Sequence, residues 1–374
     1  IRKKIITFNN IFKDQEINYN LLYSVKTNYN PFILKLLNSL GVELEAISGF
    51  ELDILSKLNL LNNKVVINGP AKSKEEILKA IKSNSIIQTD SLEELYEINN
   101  LCDIHSSTAR VGLRFQPPGS NWKRFGIPYS NAAEYIEKTK SLSDKVSLIG
   151  LHSHLGTQIL DVNAYQALSN YLVNLAFDND LVSQLEYINV GGGLPSYGAS
   201  LTHHEEEPPA LVEYINSITL GLQRLFNIRK DIKCFLEPGR AIVDESIDLI
   251  SSVMASDFNR IILDTGKNDI PSINIRNHSI IPDPNISLDK LSNKQVYGCL
   301  CMRSDSFPKE IQLPDLRRGD RVLISTLGAY VNSQSMNFIK YKPPIYYYDG
   351  SDDSIKFTLL ERKQTVDDLL SRFI

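Results

Sequence analysis

Tyr23-Ser24-Val25-Lys26-Thr27-Asn28 is the stretch on which the reading of this chain turns. The apolar run 21–25 has strand texture and ends at a lysine. Residues 31–40 then repeat apolar side chains at helical spacing and stop at Gly41. A strand, a lysine at its carboxyl end and a helix make one βα unit. Outward from it the alternation continues, with strand texture at 42–47, 65–68, 86–88, 109–115, 148–152, 187–190 and 234–236. Helical texture fills 49–58, 74–82 and 92–99, the last opened by Asp90 or Ser91 as a cap. Eight or nine such units are what a closed parallel barrel requires. A doubly wound open sheet is the alternative, but no GxGxxG follows the first strand.

After Arg240 the texture changes. Residues 241–256, 260–264, 295–301, 321–325 and 345–348 read as strands, 277–293 as a polar connection, and helical pattern returns at 365–373. The expected architecture is α/β: a parallel (β/α)8 TIM-like barrel over 1–240, then a β-rich barrel or sandwich domain over 241–374.

With 374 residues the chain is long enough for two domains, and its net charge of -4 gives no reason to expect nucleic acid or an anionic membrane as partner. No apolar run approaches the roughly 20 residues of a membrane helix. The chain starts at Ile1 rather than Met, which suggests a missing or trimmed N-terminal piece, and the opening is too short and too quickly polar for a secretory signal. Four cysteines, Cys102, Cys234, Cys299 and Cys301, do not make a disulfide framework at this length, so a reduced, cytoplasmic setting is expected.

Several chemistry-bearing groups recur at or just beyond strand ends: Lys26; His154 in LHSHLGT; Gly191, Gly192 and Gly193; Glu237 in Glu237-Pro238-Gly239-Arg240; and, in the later region, Cys301 to Asp305 and Tyr330 in GAY. Singly, each has an ordinary explanation: a rim lysine, a structural histidine, tight turns. Together and in this order they supply an amine, a ring to stack, a glycine nest for phosphate and an acid for a pyridine nitrogen, which is the equipment pyridoxal phosphate (PLP) needs. His203-His204-Glu205-Glu206-Glu207 looks metal-like, but consecutive side chains do not converge and a solvated loop is expected; no metal site is predicted.

On these motifs the chain resembles the fold-type III PLP decarboxylases acting on ornithine, diaminopimelate and carboxynorspermidine, with alanine racemase more distant. The resemblance covers nearly the whole chain. It implies that Lys26 (YSVKTN against YAVKxN) binds PLP covalently, His154 stacks on its ring, and Thr157 stands for the serine of HxHxGS. Gly191, Gly192, Gly193, Gly239, Arg240 and Tyr330 would serve the phosphate, and Glu45 in LEAIS would lie near the Schiff base. Glu237 would keep the ring nitrogen protonated, where racemases have arginine, which favours decarboxylation. Cys301 would protonate Cα. Arg114 in GLRF and Arg124 in KRFG match recurring basic positions, and Arg114, Met302, Arg303 and Asp305 are the expected substrate contacts.

The resemblance further implies a homodimer with Cys301 and Asp305 supplied by the partner. Two departures bear on substrate: Met302 stands where an acid holds a distal amine, and Ser272 where diaminopimelate enzymes carry an arginine. They favour an N-citryl-ornithine-like substrate in carboxylate-siderophore assembly. Diaminopimelate, ornithine or lysine, and carboxynorspermidine are the alternatives. A homologue that binds a protein partner without catalysis is the alternative of another class.

Overall fold

The computed structural model describes residues 1–15, 17–119, 124–202, 206–349 and 356–373. They form two compact units, Ile1–Ser196 with Pro208–Ile242, and Tyr197–Glu207 with Val243–Ile374.

In the first unit α1 (Arg2–Lys13) precedes β1 (Asn18–Ser24), and six βα steps follow: α2 (Pro31–Ser39), β2 (Glu43–Ala46), α3 (Gly49–Lys57), β3 (Val66–Ile67), α4 (Lys74–Lys82), β4 (Ile86–Thr89), α5 (Leu92–Ile104), β5 (Ala109–Phe115), α6 (Ala132–Lys140), β6 (Val146–Ser153), α7 (Val162–Asp178) and β7 (Tyr187–Asn189). Helix α8 (Leu211–Phe226) leads into β8 (Lys233–Leu236). All neighbouring strands run parallel, and β8 closes on β1 with Asn18 opposite Lys233 and Leu21 opposite Leu236. The barrel expected from the βα alternation is what forms.

Local chemistry sets the helix starts. Asn30 caps α2 with Pro31 at its first position, and Ser48 caps α3. Ser73 and Glu76 close a capping box on α4, and Ser91 caps α5. Asp90 instead accepts the Gly126 N–H at 2.7 Å. Inside the barrel Tyr187 stacks on Phe235 with ring centroids 4.5 Å apart. Gly150 faces that phenol, and a Cβ there would sit 2.0 Å from the ring, so small residues on β6 make room for a large one on β7.

The second unit is a six-stranded mixed sheet in the order β11, β14, β9, β10, β12, β13. Its strands are β9 (Leu249–Asp257), β10 (Arg260–Leu263), β11 (Ile280–Pro282), β12 (Leu291–Tyr297), β13 (Ile311–Pro314) and β14 (Arg321–Ile324). A separate hairpin joins β15 (Ile345–Asp349) to β16 (Lys356–Glu361), and α10 (Val366–Leu370) follows. Val253, Ile261, Leu263, Val296, Phe307 and Ile324 lie in its core.

Three expectations are corrected here. Residues 241–256 are not one strand: α9 (Arg240–Val243) and a 3-10 turn, Asp244–Ser246, come first. The fully buried Arg276 holds Asp244 in that turn, donating to its carboxylate at 3.0 Å and to the Ala199 carbonyl at 2.8 Å. Residues 277–293 contain β11 and the start of β12 rather than a plain connection. The strand expected at 295–301 ends at Tyr297, because Gly298 N–H turns back to the Asp305 carbonyl at 2.9 Å and Cys299 N–H to that of Thr265 at 3.2 Å. Tyr197–Glu207 groups with this unit through a Leu201–Arg276 bridge and the bond from Thr202 N–H to the Ile275 carbonyl.

Candidate active site

The carboxyl ends of β1, β2, β3, β7 and β8 carry one connected polar network. Lys26 lies in the 3-10 turn Val25–Thr27 directly after β1, and its Nζ sits 3.1 and 3.3 Å from the two carboxylate oxygens of Glu45 on β2. Asn68, one residue past β3, donates through Nδ2 to Glu45 Oε1 at 3.1 Å and to Glu237 Oε1 at 2.8 Å. Asn189 at the end of β7 donates to the same Glu237 oxygen at 2.7 Å. His152 Nε2 lies 3.6 Å from the other oxygen, Oε2. Glu237 and Glu45 are 3% and 1% exposed, so both acids are withdrawn from water while the lysine is 30% exposed.

Burial opposes charge on Glu237, but His152 and Lys26 outweigh it and hold the carboxyl well below its ordinary range. It is therefore an anion at neutral pH. Glu51 on α3 behaves oppositely. Burial first, and the neighbouring charge of Glu45 second, push it up to about 7, although its carboxylate accepts the Ile47 N–H at 2.6 Å.

The loops after β6, β7 and β8 meet beside this network through glycine. Gly191 has φ +70°, and a Cβ there would lie 2.9 Å from the Ser153 carbonyl and from His154 Cβ. At Gly192 a Cβ would lie 2.2 Å from the Glu237 carbonyl, so only glycine lets the two loops touch. Gly193 continues the run and accepts the Ile159 N–H at 3.0 Å. Gly239 approaches Thr27 with equal closeness. His154 is half-buried, and desolvation pushes its imidazole down to about 3. Its Nδ1 accepts the Gly156 N–H at 3.3 Å, which leaves the ring neutral with its proton on Nε2. Thr157 is exposed and Arg240 opens α9. Arg114 and Arg124 both approach the Phe125 ring, at 5.0 and 5.1 Å.

In the second unit, residues 298–305 form the turn that carries Cys301. Cys301 and Arg303 are exposed and Met302 half-buried. Asp305, expected to touch substrate, has its carboxylate turned to the backbone of its own unit. Its Oδ1 accepts the Lys267 N–H at 2.6 Å and its Oδ2 the Leu300 N–H at 2.7 Å, while the residue is 3% exposed. Gly266 and Gly298 leave its space open: a Cβ at either would come within 2.8 or 2.2 Å of its oxygens. Asp305 thus fixes the turn. Ser272 bonds His278 Nε2 at 3.0 Å. Tyr330 is half-buried with φ +62°.

An aromatic aldehyde phosphate asks for an amine, an anion at its ring nitrogen, a flat neutral face and a cradle of backbone N–H groups. Lys26, Glu237, His154 and the run from Gly191 to Gly193 present that set on one rim, so the residues fit PLP. Three members of the network were not foreseen as site residues: Asn68, His152 and Asn189. The available signal was a polar side chain inside or ending an otherwise apolar strand, where satisfied burial demands a partner. Among the described residues no group of three or more acidic, histidine or cysteine side chains is arranged for a metal, and no helix is long and apolar enough to cross a membrane. His203, His204 and Glu205 lie outside the described residues.

Residues 1–244 match the family described as "Pyridoxal-dependent decarboxylase, pyridoxal binding domain". A diaminopimelate decarboxylase of Helicobacter pylori (strain J99) is 28% identical over 390 aligned residues, spanning 99% of this chain and 92% of the relative. One from Aquifex aeolicus is 27% identical over 90% of this chain and 81% of its own. The solved structure of the Helicobacter pylori enzyme complexed with L-lysine superposes with a TM-score of 0.87 at 27% identity, covering 99% of this chain and 93% of that one.

Proposed function

Because the chain belongs to the pyridoxal-dependent decarboxylases, we propose that it removes the α-carboxylate of an amino acid whose far end carries a second carboxylate, with diaminopimelate as the leading member. The chain is a PLP-dependent carboxy-lyase. The observation that carries the reading is the connected set of Lys26, Glu45, Asn68 and Glu237 on the barrel rim. The relatives named above bear the name diaminopimelate decarboxylase, which supports the dicarboxylate end. The expectation of an N-citryl-ornithine substrate finds no such support and is set aside.

Bound at this rim, PLP supplies the electron-withdrawing ring that accepts the electron pair left when the bond from Cα to the carboxylate breaks. Lys26 Nζ would hold the cofactor, and Glu45, 3.1 Å from it, would take and return a proton at Nζ. Glu237, anionic and buried, keeps a proton on the ring nitrogen. The neutral imidazole of His154 stacks against the ring without adding positive charge to it. Gly191, Gly192, Gly193, Gly239, Thr157 and Arg240 would hold the phosphate. Cys301 Sγ–H delivers a proton to Cα after carbon dioxide leaves. Arg114, Met302 and Arg303 face the substrate.

The working unit is a homodimer in which the Cys301 turn of one copy completes the site of the other. Tyr346, Tyr348, Phe357 and Leu359 on the β15–β16 hairpin, each more than half exposed, supply apolar surface for such association. Mixing inactive Lys26→Ala chains with inactive Cys301→Ala chains then restores activity in the heterodimer, and mixtures that stay inactive contradict the arrangement. The substrate class is tested by carbon dioxide release and lysine formation from meso-diaminopimelate. Holoenzyme that releases no carbon dioxide from it, or that releases it a hundredfold faster from free ornithine, contradicts the reading.

A further inference from the structure

At the end of the barrel opposite Lys26 lies a cavity of about 560 Å³ that the proposed reaction does not use. First residues of strands line it: Glu43 opens β2, Ile86 β4, Tyr187 β7 and Lys233 β8, and Arg110 is the second residue of β5. All of the lining belongs to the first unit. From Lys233 strand β8 runs about 10 Å to Leu236, one position before Glu237. The cavity and the rim are thus the two ends of the same strands.

The amino-terminal end of such a barrel ordinarily serves stability. Two ion pairs of the lining do that, Arg110 with Glu186 at 2.9 Å and Arg229 with Asp231 at 2.7 Å, and both arginines also donate to backbone carbonyls. The charges left over are uneven. Lys64 and Lys233 are exposed and close no ion pair among the described residues, though both act through space on Glu43. Glu43 is half-buried, with one oxygen accepting Asn20 Nδ2 at 3.1 Å. Burial pushes its carboxyl up more than Lys233, Lys64 and Arg110 pull it down, so it is a poor counter-charge for two ammonium groups. Behind these charges the lining is apolar and buried: Ile86, Phe235 and Tyr187, the two rings stacked 4.5 Å apart. Surplus positive charge outside and apolar surface inside suit a ligand with one anionic head and an apolar body. We propose that this cavity is a second binding site, for a small monocarboxylate whose head lies between Lys64 and Lys233 and whose body packs on Ile86, Tyr187 and Phe235.

The test titrates benzoate into the PLP-loaded enzyme by calorimetry while the absorption of the bound cofactor is followed. Saturable binding with an unchanged cofactor spectrum is expected. Acetate, which lacks the apolar body, and benzamide, which lacks the charge, are each expected to bind at least about tenfold more weakly. Lys64→Gln and Lys233→Gln alter exposed side chains, so the fold should be kept; each is expected to weaken benzoate about threefold, and the two together about tenfold. Glu43→Gln is expected to act in the opposite sense and tighten benzoate about threefold, since it removes the acid that repels the anion. Absence of saturable binding at millimolar benzoate, equal affinities for benzoate and acetate, or an affinity unchanged in the double lysine variant overturns the site. A cofactor spectrum that shifts with benzoate in the double variant as in the natural chain puts the ligand on the rim instead and overturns it too. None of these results bears on the decarboxylation itself, which carbon dioxide release reads separately.

Discussion

Glu237 on the barrel rim and Asp305 beneath the Cys301 turn are equally buried carboxylates, each 3% exposed, yet they do opposite things. Glu237 is met by side chains: two asparagine amides share one oxygen, and an imidazole stands 3.6 Å from the other. Asp305 is met by backbone: one N–H for each oxygen, with two glycines shaved to admit it. An acid solvated by side chains keeps a charge that a bound ring can feel. An acid consumed by main-chain N–H groups shapes the chain around it. Burial alone does not distinguish chemistry from architecture; the identity of the donors does.

The largest effect that separates the two is expected from Glu237→Gln. It removes the anion but keeps the shape, so kcat should fall by about two to three orders of magnitude with folding retained. Asp305→Asn should act more gently and elsewhere. An amide can satisfy one of the two backbone donors and opposes the other, at a cost of about 1–3 kcal/mol in the turn. The expected result is a roughly tenfold lower kcat with an unchanged spectrum of the bound cofactor; a lost spectrum would move Asp305 into the cofactor site and dissolve the contrast.

Glu51 sharpens the comparison from a third side, as a buried acid that is neither paired nor stapled into charge. Its carboxyl is raised from 4.5 to about 7 in the fold. The folded state therefore holds a proton that the unfolded chain gives up between those values, and this contribution is complete below pH 4.5 and lost as pH rises through 7. The loss amounts to at most about 3 kcal/mol. Glu51→Gln should flatten the fall in denaturation midpoint between pH 5 and 8, since its amide oxygen can still accept the Ile47 N–H. An unchanged slope would mean that Glu51 is ionised throughout.

The eight barrel strands were legible because each is a short apolar run, and the first four are followed by helical spacing; the helices α6, α7 and α8 went unread. Lys26, His154, Glu237 and the glycine run were legible as groups at strand ends. Asn68, Asn189 and His152 were not, because a lone amide or imidazole in a strand carries no spacing signal; only the closed register of β3, β6, β7 and β8 brings them to Glu237. Beyond Arg240 the reading weakened for a related reason. Asp244 turns the chain only because Arg276, 32 residues later, pairs with it, and Asp305 ends a strand by reaching back to 267 and 300. Such long-range side-chain bonds leave no periodic trace.

The most direct test of the central claim is to reduce the yellow holoenzyme with borohydride and map the pyridoxylated lysine. Lys72 is the internal rival: its side chain is 2% exposed, and burial lowers its pKa, the usual mark of a reactive amine. Yet its Nζ is held by the Gly69 carbonyl at 2.7 Å and by both oxygens of Glu94 at 2.9 and 3.0 Å, whereas Lys26 is 30% exposed beside Glu45. The label is expected on Lys26, with none after Lys26→Ala. A label on Lys72, or one that survives Lys26→Ala, would contradict the assignment of the rim.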